Sequence, residues 1–308
     1  MNLIKAFEQH AGLSTRKNPE GMSKKTYTNL LCYLREFDSY LFATDPRPPT
    51  SDLRLPFINW LSEKKLAHST KSTIAIELGK FLFWQSLITE SDYKIIKSAF
   101  FYCPPYWSEK ELNDADIIAI LQAAGYATHQ FNARRNVAIV AILMTIGCRI
   151  SQLLSLASKD VVFNEESKQI EITLKLQKQN NQKLRDNLDR KIIPYNYKLL
   201  GFNIYKLLWQ YIEIKEELKI NSEYFICTKG GENISVRFIQ ALFTEIGKTV
   251  GVKFTPHYFR HYVGTNVAIQ HGIESAAILL GHKSIKTTMR YVKPEKYKPT
   301  NLLIDKKG

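Results

Sequence analysis

The sequence predicts a mainly α-helical chain carrying a small antiparallel sheet, and three observations predict it. Apolar residues recur at three- and four-residue steps through the first hundred positions, a two-proline segment then interrupts the pattern, and one stretch of strict period-two alternation lies among the later helical patterns.

Ser23 precedes a helical pattern in which Tyr27, Leu30, Leu31, Leu34, Phe37, Leu41 and Phe42 share a face, and Asp45-Pro46-Arg47-Pro48-Pro49 ends it. A second helix includes Leu53 to Leu61. A third begins near Ser69 or Thr70 and runs through Ile74, Ile76, Leu78, Phe81, Leu82 and Trp84. No strand-like segment lies among them, so residues 1–101 read as a small all-helical domain. The segment 102–107, Tyr102-Cys103-Pro104-Pro105-Tyr106-Trp107, cannot continue a helix and reads as a stiff linker; the alternative is a surface loop inside one domain.

A second domain, 108–308, starts at Ser108, an N-cap with Glu111 three positions on as a capping box. Helices are expected near 109–123 and 130–146. Gln169-Ile170-Glu171-Ile172-Thr173-Leu174-Lys175-Leu176 alternates as a strand, and Lys191-Ile192-Ile193-Pro194 is its return partner. Tyr197 to Leu218 reads as helix, Tyr224-Phe225-Ile226 with Gly230-Gly231 as a short strand leaving into a turn, and Ser235 as the cap of a further helix. No internal repeat or low-complexity tract is visible.

The charge balance points to a polyanion. With 43 Lys+Arg against 29 Asp+Glu, the chain carries a formal +14, which suits nucleic acid or, as the competitor, an anionic membrane surface. The longest apolar run, Val137 to Ile146, falls short of the ~18 residues that span a bilayer. The first residues, Met1-Asn2-Leu3-Ile4-Lys5-Ala6-Phe7-Glu8, place an acid where a signal peptide has its apolar core, so a cytoplasmic protein is expected. Cys32, Cys103, Cys148 and Cys227 form no Cys-x-x-Cys pair, which suggests neither a zinc site nor a disulfide framework. Cys148 adjoins Arg149: a thiol beside a cation is a candidate for a lowered pKa, against the commoner role of a small buried space-filler.

The segment from Thr255 to Val292 gathers His257, Arg260, His282 and Tyr291 around helix-start and helix-stop signals. Two imidazoles, a fixed cation and a phenol suit attack on a phosphodiester without a metal. The tyrosine oxygen attacks, arginine neutralises charge on the phosphate oxygens, and the imidazoles donate hydrogen bonds. Thr255-Pro256 is a helix start, with Thr as N-cap and Pro at the first helical position, so His257 and Arg260 sit where free N–H groups favour anions. Gly281 allows a left-handed cap before His282, and Ser284 caps the next helix. Each residue alone has a plainer reading: His-x-x-Arg is common, His282 could bond a local carbonyl, and most of the 16 tyrosines must be packing or surface residues. His261 reads as structural support, and Tyr297 as the alternative nucleophile.

The pattern His257-Tyr258-Phe259-Arg260, Leu280-Gly281-His282 and Arg290-Tyr291-Val292, with His282 and Tyr291 nine apart, resembles the tyrosine recombinase (phage integrase) family, in outline its Xer-like and integron-type members. Gly147-Cys148-Arg149-Ile150-Ser151-Gln152-Leu153-Leu154 resembles the box carrying that family's first catalytic arginine. The resemblance implies a SAM-like helical core-binding domain and a catalytic domain closing as a C-shaped clamp on duplex DNA. It implies Tyr291 as nucleophile and Arg149, Arg260, His257 and His282 as the groups that stabilise the transition state. It also implies a general-acid lysine on the turn after strand 169–177: Lys178 is the choice, Lys183 the runner-up, and Lys175 or Lys191 come behind them. The family usually has Glu or Asp where this chain has Gln152, an amide that can orient neighbours but adds no negative charge.

In activity, the resemblance implies a site-specific recombinase that joins DNA through a 3′-phosphotyrosine, for integration, excision or resolution of a mobile element or replicon. Such an enzyme needs no cofactor and no metal, and acts on double-stranded recombination sites as a homo-tetramer in the nucleoid. The tail from about 292, with Leu302, Leu303 and Ile304, either docks on a neighbouring protomer or is a disordered end. An accessory DNA-bending protein or partner recombinase is left open. Two rivals remain: a type IB topoisomerase-like nicking-closing enzyme, and a catalytically impaired architectural or regulatory DNA-binding protein.

Overall fold

The computed structural model describes residues 3–12, 24–44, 52–102, 111–164, 166–175, 188–282 and 284–289. The chain divides into two compact units, Met1–Pro104 and Pro105–Gly308. In the described residues of the first, α1 (Leu3–Gly12), α2 (Lys24–Thr44), α3 (Arg54–Glu63), α4 (His68–Trp84) and α5 (Glu90–Ala99) are all helices. Their apolar stripes meet in an aromatic core: the Phe37 and Phe57 rings cross edge to face at 5.2 Å, and those of Phe7 and Phe81 at 5.1 Å. Helices α1 and α5 go beyond the three that periodicity reveals. α5 starts at a reciprocal cap, in which Thr89 Oγ1 accepts from the Asp92 N–H and Asp92 Oδ2 accepts from the Thr89 N–H. Only Ile96 is buried along α5, too sparse a stripe to announce a helix.

The second unit is organised around α7 (Gln130–Ile146), in which every residue from Ala138 to Leu143 is fully buried. A helix apolar on all sides must be surrounded. Here α6 (Asp114–Ala124), α9 (Ile204–Glu217) and α11 (Pro256–His271) pack on it. α6 begins at Asp114, not near 109. Asn113 Oδ1 accepts from the Asp116 N–H at 2.8 Å and Asp116 Oδ2 from the Asn113 N–H at 3.0 Å, while residues 111–113 are not helical. The capping box thus lies five positions beyond Ser108, which is outside the described residues.

After the short α8 (Ile150–Leu154), strands β1 (Val161–Asn164), β2 (Gln169–Lys175) and β3 (Leu188–Pro194) form an antiparallel sheet in the order β1-β2-β3. The register pairs Val161 with Ile172 and Ile170 with Ile193, all buried, while Val162 and Ile192 face outward. β1 is a strand that alternation does not reveal, being four residues long.

The expected helix from Tyr197 to Leu218 is corrected at its start. β4 (Lys198–Leu199) and β5 (Phe202–Asn203) form a two-residue-loop hairpin whose loop residues Leu200 and Gly201 both have positive φ, 51° and 83°. α9 begins only at Ile204, where Asn203 Oδ1 accepts from the Lys206 N–H at 2.8 Å. Leu199, Leu200 and Phe202 fit helical spacing as well as they fit a hairpin, which is why periodicity alone misplaces this boundary. Tyr224 to Ile226 are corrected likewise: they are not a strand, and only isolated bridges occur there, Ala157 to Tyr224 and Cys227 to Asn233. Helix α10 (Val236–Val250) starts at Ser235, whose Oγ accepts from the Phe238 N–H at 3.1 Å. Then α11, α12 (Ile273–Leu280) and α13 (Ile285–Thr288) come in close succession.

Candidate functional site

The C-terminal ends of α7 and α12 meet beside α11 in the second unit. α7 stops at Gly147, whose φ of +64° is left-handed, and a Cβ there would meet Leu280 Cδ2 at 3.0 Å and Val263 Cβ at 3.1 Å. A residue with a side chain fits neither this backbone nor this gap. α12 stops in a Schellman turn: Gly281 N–H donates to the Ile278 carbonyl at 3.1 Å, and His282 N–H to the Ala277 carbonyl at 2.9 Å. This turn is rigid, and it aims the His282 ring at α11.

Arg260 projects from α11 into the meeting point and is 2% exposed. Its Nη1 donates to the Gly147 carbonyl at 2.7 Å and its Nη2 to the Leu280 carbonyl at 2.5 Å. Both acceptors lie at helix C-termini, where dipoles favour a cation. They are also neutral, so they hold the guanidinium without cancelling its charge. Tyr262, two residues on, donates from its hydroxyl to Asp114 Oδ1 at 2.7 Å, tying α11 to the start of α6.

His282 Nε2 lies 2.9 Å from Arg260 Nη2, and its Nδ1 lies 2.8 Å from Thr288 Oγ1. A guanidinium only donates, so Nε2 accepts and the ring proton sits on Nδ1, directed at the threonine. Burial first, then the charges of Arg260 and Arg149, hold the imidazole down to about 4, so it is neutral at pH 7. In this arrangement, without DNA, Nε2 receives a hydrogen bond from Arg260.

Arg149 caps the start of α8 with extended backbone and is half-buried. Its N–H donates to Gln152 Oε1 at 3.0 Å, and its carbonyl accepts from Gln152 N–H at 2.9 Å. Gln152, buried at 4% exposure, thus grips the arginine's backbone, work that needs an acceptor oxygen and no negative charge. Among the described residues the Arg149 guanidinium itself has no hydrogen bond or ion pair. An isolated cation that is half-withdrawn from water favours an anion beside it.

His257 and Arg260 do not share one environment. His257 is exposed in the first turn of α11, and its ring meets that of His261 edge to face at 6.1 Å. Thr255 occupies the N-cap position with Pro256 next to it, but its hydroxyl makes no capping bond; Ser284 likewise stands at the start of α13 without one. The Cys148 thiol is pushed up to about 12 by burial, which outweighs Arg260, so it fills space rather than reacting. Lys191 pairs across the sheet with Ile172. Tyr291, Tyr297, Lys178, Lys183 and the tail from 292 lie outside the described residues, as do linker positions 103–107. Thr288 and the carbonyls of Gly147 and Leu280 are the site groups that sequence reasoning misses. Backbone carbonyls carry no residue signature, and a threonine next to another, Thr287, carries no spacing signal.

Comparison with known proteins points the same way. The model described as the phage integrase family matches residues 110–297. A curated relative, tyrosine recombinase XerC of Rickettsia canadensis, is 26% identical over 306 residues, spanning 94% of this chain and 92% of that protein. A solved lambda integrase dimer bound to a COC′ core site superposes with a TM-score of 0.68 at 18% identity, covering 99% of this chain and 100% of that one. A lambda integrase tetramer bound to a Holliday junction gives 0.63 at 18% identity, covering 92% and 76%. At these identities the structural likeness concerns the fold, a helical N-terminal unit and then a mainly helical catalytic unit with a small antiparallel sheet.

Proposed function

The chain belongs to the phage integrase family, and from that premise we propose that it breaks and rejoins DNA strands as a tyrosine-type site-specific recombinase. The relatives it resembles over nearly its whole length are named as tyrosine recombinases, which favours this reading over a nicking-closing enzyme or an inert DNA-binding protein. The observation that carries it is the half-buried Arg149 guanidinium, unpartnered among the described residues, beside a second arginine held by neutral carbonyls and a neutral histidine. A cluster with that net charge is built for a dianionic phosphorane.

In the reaction, the Tyr291 hydroxyl gives up its proton to solvent as its Oη attacks the phosphorus, and the bond from phosphorus to O5′ breaks, leaving a 3′-phosphotyrosine and a 5′-hydroxyl. Lys178, with Lys183 as the alternative, gives the departing oxygen its proton. Arg149 and Arg260 stabilise charge on the non-bridging oxygens, and Gln152 and His282 hold those two arginines. His257 supplies a further hydrogen bond from the exposed first turn of α11. The 5′-hydroxyl of a partner strand reverses the step, and because one ester replaces another, neither ATP nor metal is required.

The helical N-terminal unit is assigned the second half of the grip on DNA. Strand exchange between two duplexes uses four protomers, with the tail from 292 available as the link between neighbours; the lambda integrase tetramer bound to a Holliday junction supports that stoichiometry. No helix among the described residues is long and apolar enough to cross a membrane, in keeping with a protein that works on DNA.

The test is covalent capture on a nicked suicide substrate. The wild-type protein gives a protease-sensitive adduct, and Tyr291→Phe gives none. Specific binding without an adduct refutes the enzyme, and an adduct from Tyr291→Phe refutes the nucleophile.

A further inference from the structure

Thr288 ends α13, is fully buried, and stands three positions before Tyr291 in the sequence. A buried hydroxyl needs a reason, and its partner here is His282 Nδ1 at 2.8 Å. The imidazole lies between two groups of opposite demand. Arg260 can only donate, so it requires a bare nitrogen; the threonine oxygen can receive a proton, so it accommodates the protonated one. A neutral imidazole has two tautomers of similar energy in water, and only the one with the proton on Nδ1 suits both neighbours.

We propose that Thr288 is a positioning residue: by accepting the Nδ1–H of His282 it reserves Nε2 as the acceptor for Arg260, and so fixes the arginine through the histidine. This rests on the cleavage reading above. If the hydroxyl is lost, Nδ1–H loses that acceptor and the ring can place its proton on Nε2. An N–H then faces an N–H, and the 2.9 Å bond to Arg260 is broken. The arginine keeps its two carbonyl acceptors but loses its hydrogen bond to the histidine. Thr288 also ties the end of α13 to the arginine cluster.

The experiment uses full-length protein in three forms: wild type, Thr288→Val, which keeps the shape, and Thr288→Ser, which keeps the hydroxyl. Nitrogen chemical shifts of the ring, recorded on histidine-labelled protein without DNA and assigned with His282→Gln, report the tautomer directly. Wild type and Thr288→Ser are expected in the Nδ1–H form, and Thr288→Val in a mixture or the opposite form. Adduct formation on the suicide substrate is expected to slow about tenfold in Thr288→Val at unchanged DNA affinity, the loss of one hydrogen bond's worth of positioning, and to recover in Thr288→Ser. Unchanged ring shifts in Thr288→Val overturn the proposal. Equal slowing in Thr288→Val and Thr288→Ser also overturns it, because packing alone would then explain the residue. A wild-type protein with the expected tautomer and no adduct refutes the cleavage reading and leaves the tautomer assignment standing.

Discussion

Replacing Gly147 by alanine adds one methyl group at a point where the backbone stands at φ +64° and two neighbouring side chains already lie within 3.0 and 3.1 Å of the new atom. The left-handed backbone costs an alanine about 1–2 kcal/mol. The contacts with Leu280 and Val263, both in well-packed helices, add about 1–3 kcal/mol in forced displacement. Together they give roughly 2–5 kcal/mol, or a Tm lower by roughly 4–20 °C for a unit of this size. Gly251 supplies the control: its φ is +72°, yet a Cβ there meets nothing within 4 Å. Gly251→Ala therefore carries only the backbone cost, about 1–2 kcal/mol. Scanning calorimetry of the two full-length variants should show Gly147→Ala falling well below Gly251→Ala. The Gly147→Ala protein should also form the DNA adduct slowly even at a temperature where it is folded, because the carbonyl that receives Arg260 must move with its residue. Equal losses in the two variants would refute the packing argument, and full cleavage by folded Gly147→Ala would refute the coupling to Arg260.

The ring of His282 should titrate near 4 rather than at its ordinary 6.5. Because the unfolded state takes up this proton first, the stability it contributes is complete above pH 6.5, declines as pH falls from 6.5 towards 4, and declines no further below that. A midpoint near 6.5 in an NMR titration would show that the ring is neither buried nor set beside the two arginines as described. Gln152→Ala removes the acceptor for the Arg149 N–H and should cost about 1–2 kcal/mol in urea unfolding; a loss of only a few tenths sinks the assigned role. Thiol labelling of native protein at pH 8, mapped by mass spectrometry, should modify exposed Cys32 and spare Cys148 and Cys227 until unfolding. Rapid labelling of Cys148 would contradict its burial.

Local chemistry is legible in the sequence, and chemistry between distant segments is not. Gly147 and Gly281 announce left-handed helix ends, and both have them, at φ +64° and +62°. Ser235 announces a cap and makes one. His257, Arg260 and His282 stand out by spacing, and they point to the family. Spacing cannot tell that Arg260 points inward while His257 stays exposed, because that depends on which face of α11 meets α7. Nor can it show that Nε2 of His282 accepts, since a proton's position is set by the partner across the gap. Cys148 shows the same limit: its sequence neighbour is a cation, but its burial, which outweighs the nearby Arg260, decides its pKa. The hairpin at 198–203 is hidden for a different reason, because a leucine in a left-handed turn violates the residue preference that would reveal it.

The bond between Arg260 and Gly147 joins positions 113 apart in the chain. During synthesis at about 5–20 residues per second, the carbonyl waits roughly 6–23 s for its arginine. His282 and Thr288 emerge later still. A nascent chain thus presents Arg149 well before Arg260 and His282 can join it, and the hydrogen-bonded cluster closes only once Thr288 has emerged.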